Sequence, residues 1–379
     1  MSVVFRLDRS LLVFLAACFL LVLVGFVLSG KESLEIPPFE KVKGVCWVAG
    51  DSVIIDNFAD LKRIGANWIS QTPFGWQQHH NSPSIRLETK HVLWGETDSG
   101  IRETTLLARK AGLKTMLKPH IWLTQANGKW RSDIVMDNEE DWQSWFTSYE
   151  AFILHYAKLA EQLQIDALCI GTELHLTATI RPDAWKKIVN EVRKVYSGDL
   201  TYAANFYKEY EDITFWDDLD YIGVQGYFPL TNKMKPEVTD LESGWRDHKR
   251  VMRNLSKKYN KEIYFTELGY RNSEDAAVDP WTWPGQMSAS RRLVCDTTQD
   301  KCYQAFFQSL WDESWFGGVF IWKWFHQTYR YNDPDFIAEK EERRERRKQS
   351  NPDWNVLIDF SPQGKPAEQT IQRFFSVAE

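Results

Sequence analysis

Residues 165–175 read Ile-Asp-Ala-Leu-Cys-Ile-Gly-Thr-Glu-Leu-His. The apolar run Ala167-Leu168-Cys169-Ile170 suits a buried strand and is too short for a helix. It ends in Gly-Thr-Glu, so Glu173 sits where the strand stops. The pattern returns at residues 262–270, Glu-Ile-Tyr-Phe-Thr-Glu-Leu-Gly-Tyr, where a second apolar run leads into Glu267. Two acids at the C-terminal ends of two parallel strands suit a barrel, because that face carries the loops from which barrel sites are built.

From Lys43 onward the pattern alternates between strand and helix, which predicts a parallel sheet. Strands are expected at 44–48, 68–71, 114–117, the opening stretch, 202–205, 220–227, the stretch carrying Glu267, and 318–324. Helices are expected at 54–64, 101–111, from a cap at Asp137 or Asn138 to about 163, and at 183–196, 245–259, 302–313 and 367–375, with Gly65 and Gly112 as stops. Eight such strands predict an α/β fold of the (β/α)8 TIM barrel type. A doubly wound sheet would carry a Gly-rich turn after its first strand, and none follows residue 48. The long inserted segments, 72–99, 270–301 and 325–364, follow strands two, seven and eight, on the face where barrels place their sites. Within the last, residues 339–348 mix acids and bases densely and read as a solvated helix.

The N-terminus reads differently. Residues 11–28 are apolar throughout, preceded by Arg6 and Arg9. That length borders on a membrane span, and the leading positive charge predicts export of the chain beyond residue 28. An uncleaved signal anchor is the favoured reading; a cleaved signal peptide, or a lipoprotein acylated at Cys18, are the alternatives. The chain thus divides into a signal or transmembrane segment at 1–30, a linker at 31–42 and a catalytic domain at 43–379. The catalytic part is expected outside the cytoplasm, in contact with a membrane only through its leader.

The chain of 379 residues has a net charge of −6, from 46 basic and 52 acidic side chains, which argues against a nucleic-acid partner. Its aromatic content is high, with 18 Trp, 14 Tyr and 22 Phe. Flat aromatic faces pack against the C–H faces of sugars, and they also fill barrel cores. Cys46 and Cys169 lie in strand-like runs and read as inert buried thiols. Cys295 and Cys302 bracket what reads as a short polar loop; paired, they would stabilise by roughly 2.5 kcal/mol and would need an oxidising compartment. No cysteine or histidine spacing matches a metal site.

A glycosidic bond is cleaved between two carboxyl groups, one protonating the leaving oxygen and the other, in a retaining enzyme, attacking the sugar carbon. Strands four and seven face each other across a barrel mouth, so Glu173 and Glu267 are the candidate pair. The plainer reading pairs one of them with a base such as Lys118 or Lys323. No metal or organic cofactor is called for.

The glutamate pair resembles that of the large clan of retaining barrel glycosidases, and residues 43–375 resemble glycoside hydrolase family 113 more closely. The marks are PFGWQ at 73–77, KPHIW at 118–122, IGTEL at 170–174, TELGY at 266–270 and FSPQGKPAE at 360–368. The resemblance implies a β-1,4-mannanase with Glu173 as acid/base and Glu267 as nucleophile. Many clan members carry Asn before the acid/base; Thr172 stands there here and leaves the usual 2-hydroxyl contact unassigned. Tyr227 matches the tyrosine that hydrogen-bonds the nucleophile, and Trp322 the platform under the sugar. His120 and Trp122 at the end of strand three, Asn205 after strand five and Trp76 in the second loop are further candidates for substrate contact, while Trp281 and Trp283 either line the cleft or pin their own loop. The expected partner is a β-linked polysaccharide or oligosaccharide. A hydrolase of another β-glycan, or a non-catalytic surface glycan-binding protein on the same scaffold, are the rival readings.

Overall fold

Eight parallel strands close into a barrel: β1 Val42–Val48, β2 Trp68–Gln71, β3 Lys114–Leu117, β4 Ala167–Thr172, β5 Asp199–Ala204, β6 Ile222–Gln225, β7 Ile263–Leu268 and β8 Phe316–Phe325. Each strand pairs with its neighbour in the chain, and β8 returns to pair with β1. The fold is therefore the expected (β/α)8 barrel. It is seen in a computed structural model that describes residues 40–376 apart from 49, 88–91, 292 and most of 326–356. The expected leader, most of the expected linker and nearly all of the charged segment at 339–348 lie outside the described residues. Among the described residues, no helix is long and apolar enough to cross a membrane.

Alternation along the strands divides the core in two. On β4, Leu168 and Ile170 point outward into the layer between strands and helices, while Ala167 and Cys169 point into the barrel. The barrel interior holds Val42, Cys46, Met116, Ala167, Cys169, Ala203, Tyr264 and Phe320. Small residues there make room for large ones: a Cβ on Gly44 would stand 2.4 Å from the Phe320 ring, and one on Gly317 2.2 Å from that of Tyr264. Cys46 and Cys169 are free thiols in this interior, as expected, and burial pushes Cys46 up to about 12.

The barrel elements differ from the expected bounds by a few residues at several ends, and the helix expected at 245–259 begins at Val238; three further departures change the reading. Residues 74–77 form no open loop. Phe74–Gln77 pairs with Arg86–Leu87 and with His120–Leu123 in a three-stranded sheet over the barrel mouth. Residues 118–122 therefore leave β3 at Leu117 and enter this second sheet, so His120 and Trp122 lie beyond the barrel strand. A short helix, His175–Ile180, follows Glu173 directly, ahead of the expected one, which spans Pro182–Arg193.

The third departure is at Cys295. A helix spans Asp296–Leu310, so the polar stretch between the two cysteines is its first turns. Its polarity serves tertiary bonds: Gln299 Nε2 donates to the Tyr270 carbonyl at 2.8 Å, and Asp300 accepts from Thr370 at 2.6 Å. Seven residues of helix separate the sulfurs by roughly 10 Å of rise, too far for a disulfide, and both thiols are free.

Candidate active site

Glu267 is the penultimate residue of β7, its side chain almost fully enclosed and the residue 4% exposed. Lys118, one residue past β3 and fully buried, donates from Nζ to Glu267 Oε1 at 2.5 Å and to the Thr266 carbonyl at 2.9 Å. Tyr227, two residues past β6, donates from its hydroxyl to Oε2 at 2.8 Å. Each carboxylate oxygen thus has its own donor, so the charge is shared between a cation and a phenol. The pairing with Lys118 read as an alternative in the sequence is real, and it orients Glu267 within the mouth. Lys323, the other base named, lies elsewhere, with Nζ 5.7 Å from the Trp283 ring and 5.0 Å from that of Phe325.

Glu173 stands one residue past β4 in a left-handed conformation, φ +54°, which costs a non-glycine residue about 1 kcal/mol. Two bonds from β5 hold it there. The Glu173 N–H donates to the Ala203 carbonyl at 2.8 Å, and the Leu174 N–H donates to the Tyr202 hydroxyl at 2.8 Å. Its carboxyl accepts from the Trp130 indole N–H at 2.8 Å and lies 3.9 Å from Arg131 Nε. Burial raises its pKa, Arg131 opposes the rise, and the Glu267 charge adds to it. The two glutamates are therefore held differently: one is bonded through both oxygens to charged and phenolic donors, the other is pushed toward its protonated form.

His120 joins the two halves. Its Nδ1 lies 2.7 Å from Arg131 Nη1 and must accept, since guanidinium only donates. Burial, with Arg131 and Lys118 nearby, holds the ring well below its ordinary pKa, so it is neutral. The proton then sits on Nε2, which has no hydrogen-bond partner among the described residues and lies 3.6 Å from Glu267 Oε1. A buried donor left over in the mouth is ready for a hydroxyl of a bound sugar.

The small sheet makes one wall. Its two faces differ, as strand alternation requires. Gly75 and Gln77 face the helix Glu139–Leu163, where Gln77 accepts from the Trp145 indole at 2.9 Å and a Cβ on Gly75 would strike Phe152. Phe74, Trp76, His120 and Trp122 share the opposite face, with Phe74 beside His120 and Trp76 beside Trp122 in register. Trp122 is 40% exposed and packs edge-on against Phe74 and Trp130. Across the barrel, Trp281 is 43% exposed and stacks on Phe206 at 5.1 Å. Trp283 meets Trp322 edge-on at 6.5 Å, and Lys118 Nζ lies 5.8 Å from the Trp322 ring. The loop carrying Trp281 and Trp283 is tied by the buried Arg271, whose Nη1 donates to the Asp279 and Thr282 carbonyls at 2.8 and 2.6 Å. The Trp322–Lys323 peptide is cis.

Of the residues expected at the site, Glu173, Glu267, His120 and Tyr227 are linked by hydrogen bonds or charge contacts, Trp322 lies beside Lys118, and Trp76 and Trp122 stand on the neighbouring wall. Asn205 differs. Its Oδ1 accepts from the Tyr207 N–H at 3.1 Å and its own N–H donates to Glu209 at 2.7 Å, so it shapes the turn after β5. Lys118 as an orienting group, Trp130 and Arg131 were not anticipated. The last two lie in a short segment outside any periodic pattern, and only the Trp-Arg pair itself could have drawn notice.

Two unlike carboxyls at the C-terminal mouth of a parallel barrel, between aromatic walls, form an arrangement suited to acid–base cleavage of sugar linkages. The model of Glycoside Hydrolase Family 113 matches residues 50–340, and the chain belongs to that family. Its fold is similar to a solved GH113 β-1,4-mannanase complex at 25% identity and TM-score 0.70, covering 89% of this chain and 100% of that one. It is similar likewise to the GH113 β-mannanase AaManA from Alicyclobacillus acidocaldarius in complex with ManMIm, at 26% identity and TM-score 0.71, covering 89% of this chain and 99% of that one. A β-glucuronidase from Ruminococcus gnavus shares the barrel alone, at 13% identity and TM-score 0.56, covering 89% of this chain and 50% of that one. A search of curated proteins returned no match.

Proposed function

We propose that this glycoside hydrolase cleaves β-1,4-mannan or manno-oligosaccharides with retention, through Glu173 and Glu267. Glu267 attacks the anomeric carbon while Glu173 gives its proton to the departing oxygen. A covalent glycosyl-enzyme forms as the glycosidic bond breaks. Glu173, now a carboxylate, takes a proton from water, and that water displaces Glu267 and regenerates both groups. The observation that carries this reading is the unlike treatment of the two glutamates. Lys118 and Tyr227 offer donors suited to an ionised nucleophile, while burial favours the protonated form of Glu173. The nearby Glu267 charge adds to that preference in Glu173. His120 Nε2–H and the Trp76, Trp122 and Trp322 rings are assigned to sugar binding.

The mannan assignment rests on the β-mannanases to which the fold is similar. Its test is product analysis on matched β-1,4-linked hexasaccharides of mannose, glucose and xylose, with Glu267→Gln alongside. Cleavage of the mannose chain alone, lost in the variant, is the expected result. Cleavage of another chain would move the substrate, and tight binding without cleavage by the unmodified protein would replace the enzyme by a glycan-binding scaffold.

The same reading puts the catalytic domain outside the cytoplasm, tethered through residues 11–28, on the strength of Arg6 and Arg9 before that apolar run. Expression of the full chain should leave it in the membrane fraction until detergent is added. Recovery in the soluble fraction with its leader removed would rule the tether out.

A further inference from the structure

Two buried residues outside the catalytic pair, Tyr202 on β5 and Glu209 in the turn after it, bear on Glu173 without touching substrate. Both are fully enclosed. The Tyr202 hydroxyl accepts from the Leu174 N–H at 2.8 Å, and its own hydrogen goes to Glu209 Oε1. Glu209 Oε2 accepts from the Asn205 N–H at 2.7 Å. A hydroxyl has one hydrogen. While that hydrogen is committed to Glu209, the oxygen's lone pairs are free to accept the Leu174 N–H. Burial raises the pKa of Glu209, and its two donors oppose the rise. The peptide so held is the one immediately after Glu173, a residue in the left-handed region where a non-glycine residue is uncommon.

We propose that Tyr202 and Glu209 are positioning residues for the acid/base: they fix the peptide after Glu173 and so aim its carboxyl at the leaving oxygen. This rests on the assignment of Glu173 as acid/base. It predicts a specific defect. Loss of either residue disturbs proton delivery to the leaving group and leaves nucleophilic attack by Glu267 intact.

The test compares kcat/KM on two substrates of the sugar found to be cleaved. One is the oligosaccharide, whose leaving group needs a proton. The other is the 2,4-dinitrophenyl β-glycoside, whose leaving group does not. In Tyr202→Phe, kcat/KM on the oligosaccharide should fall by about ten- to a hundredfold, as for a buried Leu174 N–H left without its acceptor, while the aryl glycoside should change by less than about threefold. Glu209→Gln should split the substrates in the same direction, and it carries the test if Tyr202→Phe does not fold. Equal losses on both substrates would reduce the pair to a general structural role and overturn the proposal, as would an unchanged oligosaccharide rate. Glu173→Ala is the reference. If it fails to split the substrates, the acid/base assignment falls and the proposal with it. If it splits them and the folded positioning variants do not, the proposal alone falls.

Discussion

Lys118 Nζ lies 2.5 Å from Glu267 Oε1, and neither side chain is open to solvent. A pair of this kind is held by mutual need: removal of one partner leaves the other charged and buried, at a cost of about 3–5 kcal/mol. Lys118→Met should therefore lower the thermal midpoint markedly and cut kcat/KM by about a hundredfold or more. Glu267→Met, which leaves the ammonium alone, should destabilise to a similar degree. The double variant should recover much of the stability and none of the activity. Differential scanning calorimetry on the three proteins checks this; additive losses in the double variant would disprove the coupling.

Tyr227 gives Glu267 its second donor. A hydrogen bond to a charged group contributes about 1.5–3 kcal/mol. Tyr227→Phe should lower kcat by about ten- to a hundredfold with a modest change in KM. Steady-state kinetics on the cleaved hexasaccharide would show this, and an unchanged kcat would remove Tyr227 from the machinery.

The pH profile has a sign fixed by Arg131. In the proposed mechanism catalysis needs Glu173 protonated, so its deprotonation ends activity on the alkaline side. Burial holds its pKa up, and the Arg131 cation favours the carboxylate and so draws it down. Removal of that cation in Arg131→Met should move the alkaline limb of kcat/KM to higher pH. A limb that stays in place, or moves to lower pH, would contradict the assignment.

Trp122 is exposed and packs against its neighbours only by its edges. Trp122→Ala should leave the thermal midpoint close to that of the parent. It should raise KM for long oligosaccharides by about tenfold, equivalent to ~1.4 kcal/mol of binding, with little effect on kcat. Equal kinetics on di- and hexasaccharides in parent and variant would exclude the ring from the cleft.

The thiols give a separate check on the helix at Asp296–Leu310. Cys295 is half-buried, whereas Cys46, Cys169 and Cys302 are enclosed. In native protein carrying Cys18→Ser, a maleimide should label Cys295 first, with Cys46, Cys169 and Cys302 reacting only on unfolding. A reductant should leave the thermal midpoint unchanged.

The barrel was readable because each strand is a short apolar run bounded by polar turns, and because an acid ends two of them. Glu173 and Glu267 stood out for that reason, and Tyr227 and Trp322 came from resemblance. The small sheet was hidden because Phe74–Gln77 and His120–Leu123 are four residues each and come directly after Pro73 and Pro119. A proline there reads as the end of a strand, while in space it marks a step from one sheet into the next. The helix start at Asp296 was hidden because Thr298, Gln299 and Asp300 look like loop residues, while Gln299 and Asp300 turn their polarity to Tyr270 and Thr370 across the fold. Arg131 and Trp130 reach Glu173 from a segment with no periodicity, so only three-dimensional proximity reveals them.

The sheet over the mouth has one more consequence, for how this enzyme can change. A cleft wall made of loops alters by insertion and deletion, and each such change risks the shape of the whole. Here the wall is a paired ladder whose backbone is anchored on the helix Glu139–Leu163 through Gly75 and Gln77. Its other face presents Trp76 and Trp122 side by side. New sugar preferences are then open to substitutions on that face, coupled to one another through the shared Phe74 ring, without rebuilding the scaffold behind them.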